Sequence, residues 1–158
     1  MEGNAVRFFS DRSAPQCELA TETLRSSGTL RLRATGWSMV PALWPGDTLV
    51  IEPVDSSEVC QGDIVLFTRH QRFFAHRVIG NTSLGRGIQT RGDAMKRTDA
   101  PVSSRELLGR VVSIERNGKS ITPRRELNAA KRSVAALVRQ LPIAARVAVA
   151  MREVVRSL

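Results

Sequence analysis

The chain has 158 residues, of which 42% are hydrophobic, so it is long and apolar enough for one globular domain with its own core. The net charge of +9 is uneven: residues 1–115 hold 14 Lys or Arg and 13 Asp or Glu, whereas residues 116–158 hold 10 and 2. Basic charge in one tail favours an anionic partner, with membrane headgroups, nucleic acid and acidic proteins as the alternatives.

Targeting and metal-binding signals are missing from the sequence. No basic segment followed by an apolar one opens the chain, and no run of about 18 uncharged apolar residues occurs, so we expect neither a signal peptide nor a transmembrane helix. Cys17 and Cys60 have no second cysteine pair, so no zinc site is expected and the thiols are interpreted as buried or incidental. We expect no cofactor and a cytoplasmic location, with a peripheral membrane position as the alternative.

The first predicted element is a short helix over 16–27. Ala20 and Leu24 recur at helical spacing, and Gly28 can end the helix. Residues 1–29 are therefore interpreted as an N-terminal helical extension.

Residues 30–122 are predicted to form a mainly β domain. Strand-forming segments alternate with turn-rich ones and predict strands over 30–34, 48–53, 63–69, 72–79, 88–91, 107–115 and 119–122. His70-Gln71 and Asn117-Gly118 are predicted to be hairpin turns.

Residues 123–158 are predicted to form a basic amphipathic helical tail. The apolar positions before Pro142 are Leu127, Ala130, Val134, Leu137, Val138 and Leu141, and those after it are Ile143, Val147, Ala150, Met151, Val154 and Leu158. Packing on the domain or on a second copy, and peripheral contact with a membrane, both remain open. Nucleic-acid binding is disfavoured because no aromatic residue interleaves with the basic ones.

A serine stands at the exit of the first predicted strand. Ser38 lies between Gly36 and the Met39-Val40-Pro41 segment, where the backbone can turn sharply and present a hydroxyl. A nucleophile needs such a turn, but Gly, Ser and Pro also cluster in ordinary turns that have no catalytic role.

A serine nucleophile needs a base, and the chain has two histidines. His70 lies in a predicted polar turn, where solvent exposure is expected. His76 lies in the apolar strand 72–79, where partial burial favours the neutral imidazole that a general base requires. The lysines, Lys96, Lys119 and Lys131, lie outside apolar strands, which disfavours a Ser/Lys mechanism.

Five short motifs follow one another in a fixed order: Gly36-x-Ser38-Met39-x-Pro41, Gly46-Asp47-x-Leu49, Gly62-Asp63-Ile64-Val65, His76-Arg77-Val78-Ile79 and Arg91-Gly92-Asp93. This order resembles that of the type I signal peptidase and LexA-like serine peptidases. The resemblance implies a coiled β-sheet catalytic core over residues 30–122 and no cofactor. Signal peptidases normally carry an N-terminal membrane helix, so the chain is similar to a variant without that anchor.

The resemblance also implies roles for individual residues. Ser38 matches the nucleophile, and His76 stands where bacterial signal peptidases have lysine, similar to the archaeal and endoplasmic-reticulum enzymes. Asp99 matches the third catalytic residue and Asp93 a supporting aspartate, although the residues alone leave either one as the partner of His76. A surface salt bridge with Lys96 or with Arg97 is the alternative for both carboxylates.

Three further residues are expected to support the site. Met39 and Pro41 are expected to shape the turn and a substrate groove. Gly36 stands where signal peptidases often have a serine that stabilises the oxyanion, so the Ser38 N–H is expected to be one donor.

These observations predict a serine endopeptidase that cleaves a peptide or protein precursor by Ser/His/Asp chemistry, with the substrate bound as an extended strand. A catalytically inactive module of the same fold, which binds peptides or docks to a membrane, is the alternative.

Overall fold

The computed structural model describes residues 14–82, 87–126 and 129–140. Two helices and seven strands occur in these ranges: α1 (Ala14–Ser27), β1 (Leu30–Arg33), β2 (Thr48–Glu52), β3 (Ile64–Arg69), β4 (Arg72–Asn81), β5 (Ile88–Arg91), β6 (Leu107–Arg116), β7 (Lys119–Ile121) and α2 (Ala129–Gln140). The start of the predicted N-terminal extension, and the predicted apolar positions Leu127, Leu141 and those beyond Pro142, lie outside the described residues.

The strands form one antiparallel sheet in the order β1-β2-β6-β3-β4-β5, with β7 paired to β6. The predicted mainly β fold is therefore confirmed. β4 extends two residues beyond its predicted end at residue 79, because a register shift between Val78 and Gly80 lets it continue pairing with β5 up to Asn81.

The two predicted hairpin turns are present. His70 and Gln71 have φ values of 50° and 58°, and Asn117 and Gly118 have values of 50° and 72°. Positive φ at both central residues is the geometry that matches the right-handed twist of paired strands. His70 is exposed in its turn, as expected.

Strand β3 lies in the middle of the sheet and has core on both faces. Ile64 and Leu66 belong to a cluster that also contains α1 residues, whereas Val65 and Phe67 belong to a second cluster with β4, β5 and Val102. Because successive side chains point to opposite faces, one apolar strand serves both clusters. The second cluster forms the face on which the candidate site lies.

Helix α1 begins two residues earlier than predicted. Outside the helices, Cys60 is exposed, so of the two interpretations of the thiols the incidental one fits this residue. In α2 two positions of the predicted apolar face, Val134 and Leu137, are 40% and 59% exposed, whereas Ala135 is fully buried. The small side chain of Ala135 permits close packing at that position. Neither helix is long and apolar enough, over the residues described, to span a membrane.

Candidate active site

Ser38 lies in the turn that follows the edge strand β1. Reciprocal hydrogen bonds, from Ala34 N to Asp47 O and from Gly46 N to Ala34 O, both 2.8 Å long, close the loop on which the serine lies. Met39 is buried in the first core cluster directly after it. The loop is therefore fixed at its base and beneath the serine, and the hydroxyl remains half-buried at the surface.

His76 is held by the pairing of β3 with β4. It lies opposite Val65, and Phe74 on the same strand lies opposite Phe67. The Phe67 and Phe74 rings contact the imidazole at centroid distances of 5.9 Å and 6.0 Å, and His76 is only 5% exposed. One aromatic ring on the paired strand and one on the same strand therefore fix the orientation of this histidine.

Ser38, His76 and Asp99 form a continuous chain of hydrogen bonds. Ser38 Oγ lies 2.9 Å from His76 Nε2, and Asp99 Oδ2 lies 2.7 Å from His76 Nδ1. A carboxylate only accepts hydrogen bonds, so Nδ1 carries the proton and donates a hydrogen bond to Asp99. Nε2 is then unprotonated and can accept the hydrogen of the serine hydroxyl, which is the arrangement of a nucleophile, a base and an orienting acid.

Neighbouring groups hold Asp99 in place and keep it ionised. Thr90 Oγ1 donates to Asp99 Oδ2 at 2.7 Å, and Gln89 Nε2 donates to Asp99 O at 2.5 Å. Burial raises the pKa of the Asp99 carboxyl, but hydrogen bonds from His76 and Thr90, together with electrostatic attraction by His76 and Arg69, outweigh it and lower that pKa from its ordinary value.

Thr90 and Gln89 were missed by the sequence analysis. Thr90 is fully buried, as is its neighbour on the same strand face, Ile88. The alternation along β5 could have placed the Thr90 hydroxyl on the inner face, but nothing in the sequence links it to Asp99.

Asp93 is engaged elsewhere. Its carboxylate accepts two hydrogen bonds of 2.8 Å, from Nε and Nη2 of Arg77, and both side chains are buried. The next residue, Ala94, donates its N–H to Ser38 O at 2.8 Å. Asp93 thus anchors the backbone that contacts the serine, whereas Asp99 is the carboxylate that contacts His76.

The approach of this segment to Ser38 requires glycine at residue 92. A Cβ at Gly92 would lie 2.5 Å from Ser38 O, closer than real Cβ atoms come to another atom, and 3.0 Å from Ser38 Cβ, which is an unusually tight contact. The Arg-Gly-Asp motif therefore combines a close backbone contact with a buried anchor.

Arg77 also fixes the beginning of the tail. It donates to Gly62 O and to Arg124 O at 2.8 Å, and to Arg125 O at 3.2 Å. The Arg125 side chain donates in turn to Asp63 at 2.8 Å. The segment that leads towards α2 is consequently attached to the residue that follows His76.

The other predicted supporting residues surround the turn. Pro41 is buried and Gly36 is exposed. Trp37 and Trp44 meet edge to face at 6.3 Å and pack against Val40 and Ala94. Met39 and Pro41 thus support the turn from within, and the two tryptophans flank it.

Metal ligands are not grouped in the described ranges: no three His, Cys, Asp or Glu side chains there are placed to hold an ion. The arrangement that carries chemistry is the hydrogen-bonded chain of Ser38, His76 and Asp99.

In a comparison with known protein families, residues 5–112 match the family described as Peptidase S24-like. A search of curated proteins found no significant match. The family match covers more than half of the chain and includes all three residues of the hydrogen-bonded chain. The protein therefore belongs to the Peptidase S24-like family.

Proposed function

We propose that this protein is a serine endopeptidase that cleaves a peptide or protein precursor in the manner of a signal peptidase. Membership of the Peptidase S24-like family supports a serine-peptidase type of function. The observation that carries the proposal is the distance of 2.9 Å between Ser38 Oγ and His76 Nε2, with Asp99 on the opposite nitrogen.

The proposed reaction begins with attack of Ser38 Oγ on the scissile carbonyl carbon. His76 Nε2 takes the hydroxyl proton as the C–O bond forms, and Asp99 stabilises the resulting imidazolium. The imidazolium then gives this proton to the leaving amine, the C–N bond breaks and an acyl ester remains on Ser38. Water activated by His76 hydrolyses the ester and restores the serine.

The negative oxygen of the tetrahedral intermediate requires hydrogen-bond donors. Within the described ranges the Ser38 N–H donates to no backbone carbonyl, so it is available for this purpose. Gly36, two residues earlier, brings no hydroxyl. We therefore assign one donor to the Ser38 backbone.

The substrate is proposed to add as an extended strand to the free edge of β1. Over the described residues β1 pairs with β2 alone, and the chain leaves β1 directly into the turn that carries Ser38. A peptide paired to this edge would run towards the serine, with main-chain hydrogen bonds supplying affinity.

We further propose that the tail contacts a membrane surface peripherally. Exposed Val134 and Leu137 on α2, together with the basic composition of the tail, support this arrangement over packing of that face on the domain. Co-sedimentation with anionic and with neutral lipid vesicles tests it, and equal absence of the protein from both pellets would contradict it.

The peptidase proposal is tested with a diverse peptide library and mass spectrometry of the new termini. We expect the wild type and a Ser104→Ala control, which alters an exposed serine, to make the same cuts, and Ser38→Ala to make none. Cuts that persist in Ser38→Ala would contradict the proposal. Retained binding of peptides by a folded wild type that makes no cuts would favour the inactive peptide-binding module.

A further inference from the structure

The segment between the two contacts with the catalytic residues is exposed and basic. At one end Ala94 N donates to Ser38 O, and at the other end Asp99 accepts from His76. The four residues between them, 95–98, are all exposed and include Lys96 and Arg97. We name residues 95–98 the basic loop.

The basic loop is fixed at both ends. Met95 N donates to Gly92 O at 2.9 Å, and Asp99 N donates to Thr90 O at 2.9 Å. Beyond Asp99, Arg69 donates to the carbonyls of Ala100 and Pro101. The two cationic side chains are therefore presented from a short loop whose ends are anchored, and not from a free terminus.

The charge of the basic loop is not neutralised by its own neighbours. Among the described residues neither Lys96 nor Arg97 has an ion-pair partner. The two carboxylates of the same segment are already engaged, since Asp93 binds Arg77 and Asp99 binds His76. The salt bridge between Lys96 or Arg97 and these aspartates, which the sequence left open, is absent from the described contacts.

The basic loop belongs to a domain that is itself net positive. Residues 30–122 hold 13 basic and 9 acidic side chains, so the charge of the basic loop adds to a field that already attracts anionic chains. Lys96 and Arg97 lie on the loop that joins the residue in contact with Ser38 O to the residue in contact with His76, so they place two cations without ion-pair partners among the described residues in the segment that links these contacts. The side chain of Met95, whose Cγ would lie 2.8 Å from a Cβ at Gly92, adds an apolar contact on the side towards Ser38.

We propose that Lys96 and Arg97 determine specificity by selecting substrates with an acidic side chain close to the scissile bond. This inference rests on the proposed peptidase function and adds the substrate class to it. An exposed charge acts over about 8–10 Å at physiological salt. An extended chain advances about 3.3–3.6 Å per residue, so the acidic residue lies within about three residues of the cut.

The test uses two matched peptide libraries, one containing Asp at variable positions and one with Asn in place of every Asp. Two exposed ion pairs correspond to a preference of about tenfold in kcat/KM for the Asp library, falling as salt is raised. The Lys96→Gln/Arg97→Gln variant is expected to lose this preference. Lys119→Gln, which removes an exposed cation in β7, is the matched control and is expected to keep it.

A binding measurement separates this inference from the catalytic proposal. Peptides from the two libraries carry a neutral fluorophore, and anisotropy is measured with Ser38→Ala and with Ser38→Ala/Lys96→Gln/Arg97→Gln. Tighter binding of the Asp peptides to the first variant alone supports the inference, even if the wild type cleaves nothing. Equal cleavage and equal binding of the Asp and Asn peptides would overturn the inference and leave the peptidase proposal intact.

Discussion

Replacement of Arg77 by methionine tests whether the site depends on a buried ion pair. The side chains of Arg77 and Asp93 are 10% and 5% exposed, and the guanidinium makes two hydrogen bonds of 2.8 Å to the carboxylate. Methionine retains most of the apolar stem but leaves the Asp93 charge buried without a partner. An unpaired buried charge of this kind costs about 3–5 kcal/mol.

Two further comparisons assign this cost to the unpaired charge. Arg77→Met/Asp93→Leu removes both charges and is expected to recover most of the loss in the free energy of unfolding, because the desolvated carboxylate is gone. A remainder of about 1–3 kcal/mol is expected, since the carbonyls of Gly62, Arg124 and Arg125 still lack their donor. Arg110→Met is the control, because Arg110 is 36% exposed and lies 3.4 Å from Asp63, and its cost is expected to be below about 1 kcal/mol.

The assay is urea unfolding followed by the fluorescence of Trp37 and Trp44, which flank the site. Arg77→Met is expected to lower the midpoint strongly with an unchanged slope, and Arg110→Met to shift it little. If Arg77→Met lost no more than Arg110→Met, or if the double variant were less stable than Arg77→Met, the reasoning about the buried pair would be refuted.

Three other predictions concern the partner of His76, the oxyanion donors and the ion pair of Arg69 with Glu106. Asp99→Asn is expected to lower kcat by about 10³–10⁴ with the fold retained by circular dichroism, because the amide cannot hold the correct tautomer of His76; a loss below tenfold would contradict this. Gly36→Ser is expected to raise kcat by about tenfold through a second oxyanion donor, since a Cβ there meets nothing within 4 Å; the same gain in Gly36→Ala would exclude the hydroxyl as its cause. Hydrogen bonding with Arg69 lowers the pKa of Glu106 from 4.5 to about 2. The stabilisation of the fold by ionised Glu106 is therefore present above pH 4.5 and is lost as the pH falls towards 2. Unfolding curves across that interval should show a larger loss in the wild type than in Glu106→Gln.

The strands and their turns could be predicted because the evidence for them is local. The strand period is visible within a few residues, as in the alternation over 30–34 and 88–91. The turn type is equally local, because Asn117-Gly118 lies between two apolar segments. The same locality explains the error at the end of β4. This strand ends opposite Ile88, the first residue of β5, and pairing between strands is not visible along the sequence.

The candidate site likewise contains contacts that the sequence predicts and contacts that it does not. The proximity of Ser38 and His76 was predicted from motif resemblance, but the contacts of Thr90 with Asp99 and of Arg77 with Arg124 join segments that are distant along the chain or carry no characteristic residue type. On α2, periodicity indicated an amphipathic helix, but which face is buried depends on the surface beneath it, and there Ala135 is buried instead of Leu137.

The central claim is that Ser38 and His76 act as one catalytic unit, and a double-mutant cycle tests it most directly. With a peptide that the wild type cleaves, kcat/KM is measured for Ser38→Ala, His76→Ala and the double variant. Residues that act together lose activity non-additively, so we expect each single variant to be about as inactive as the double one. Additive losses, or substantial cleavage by either single variant, would contradict the account.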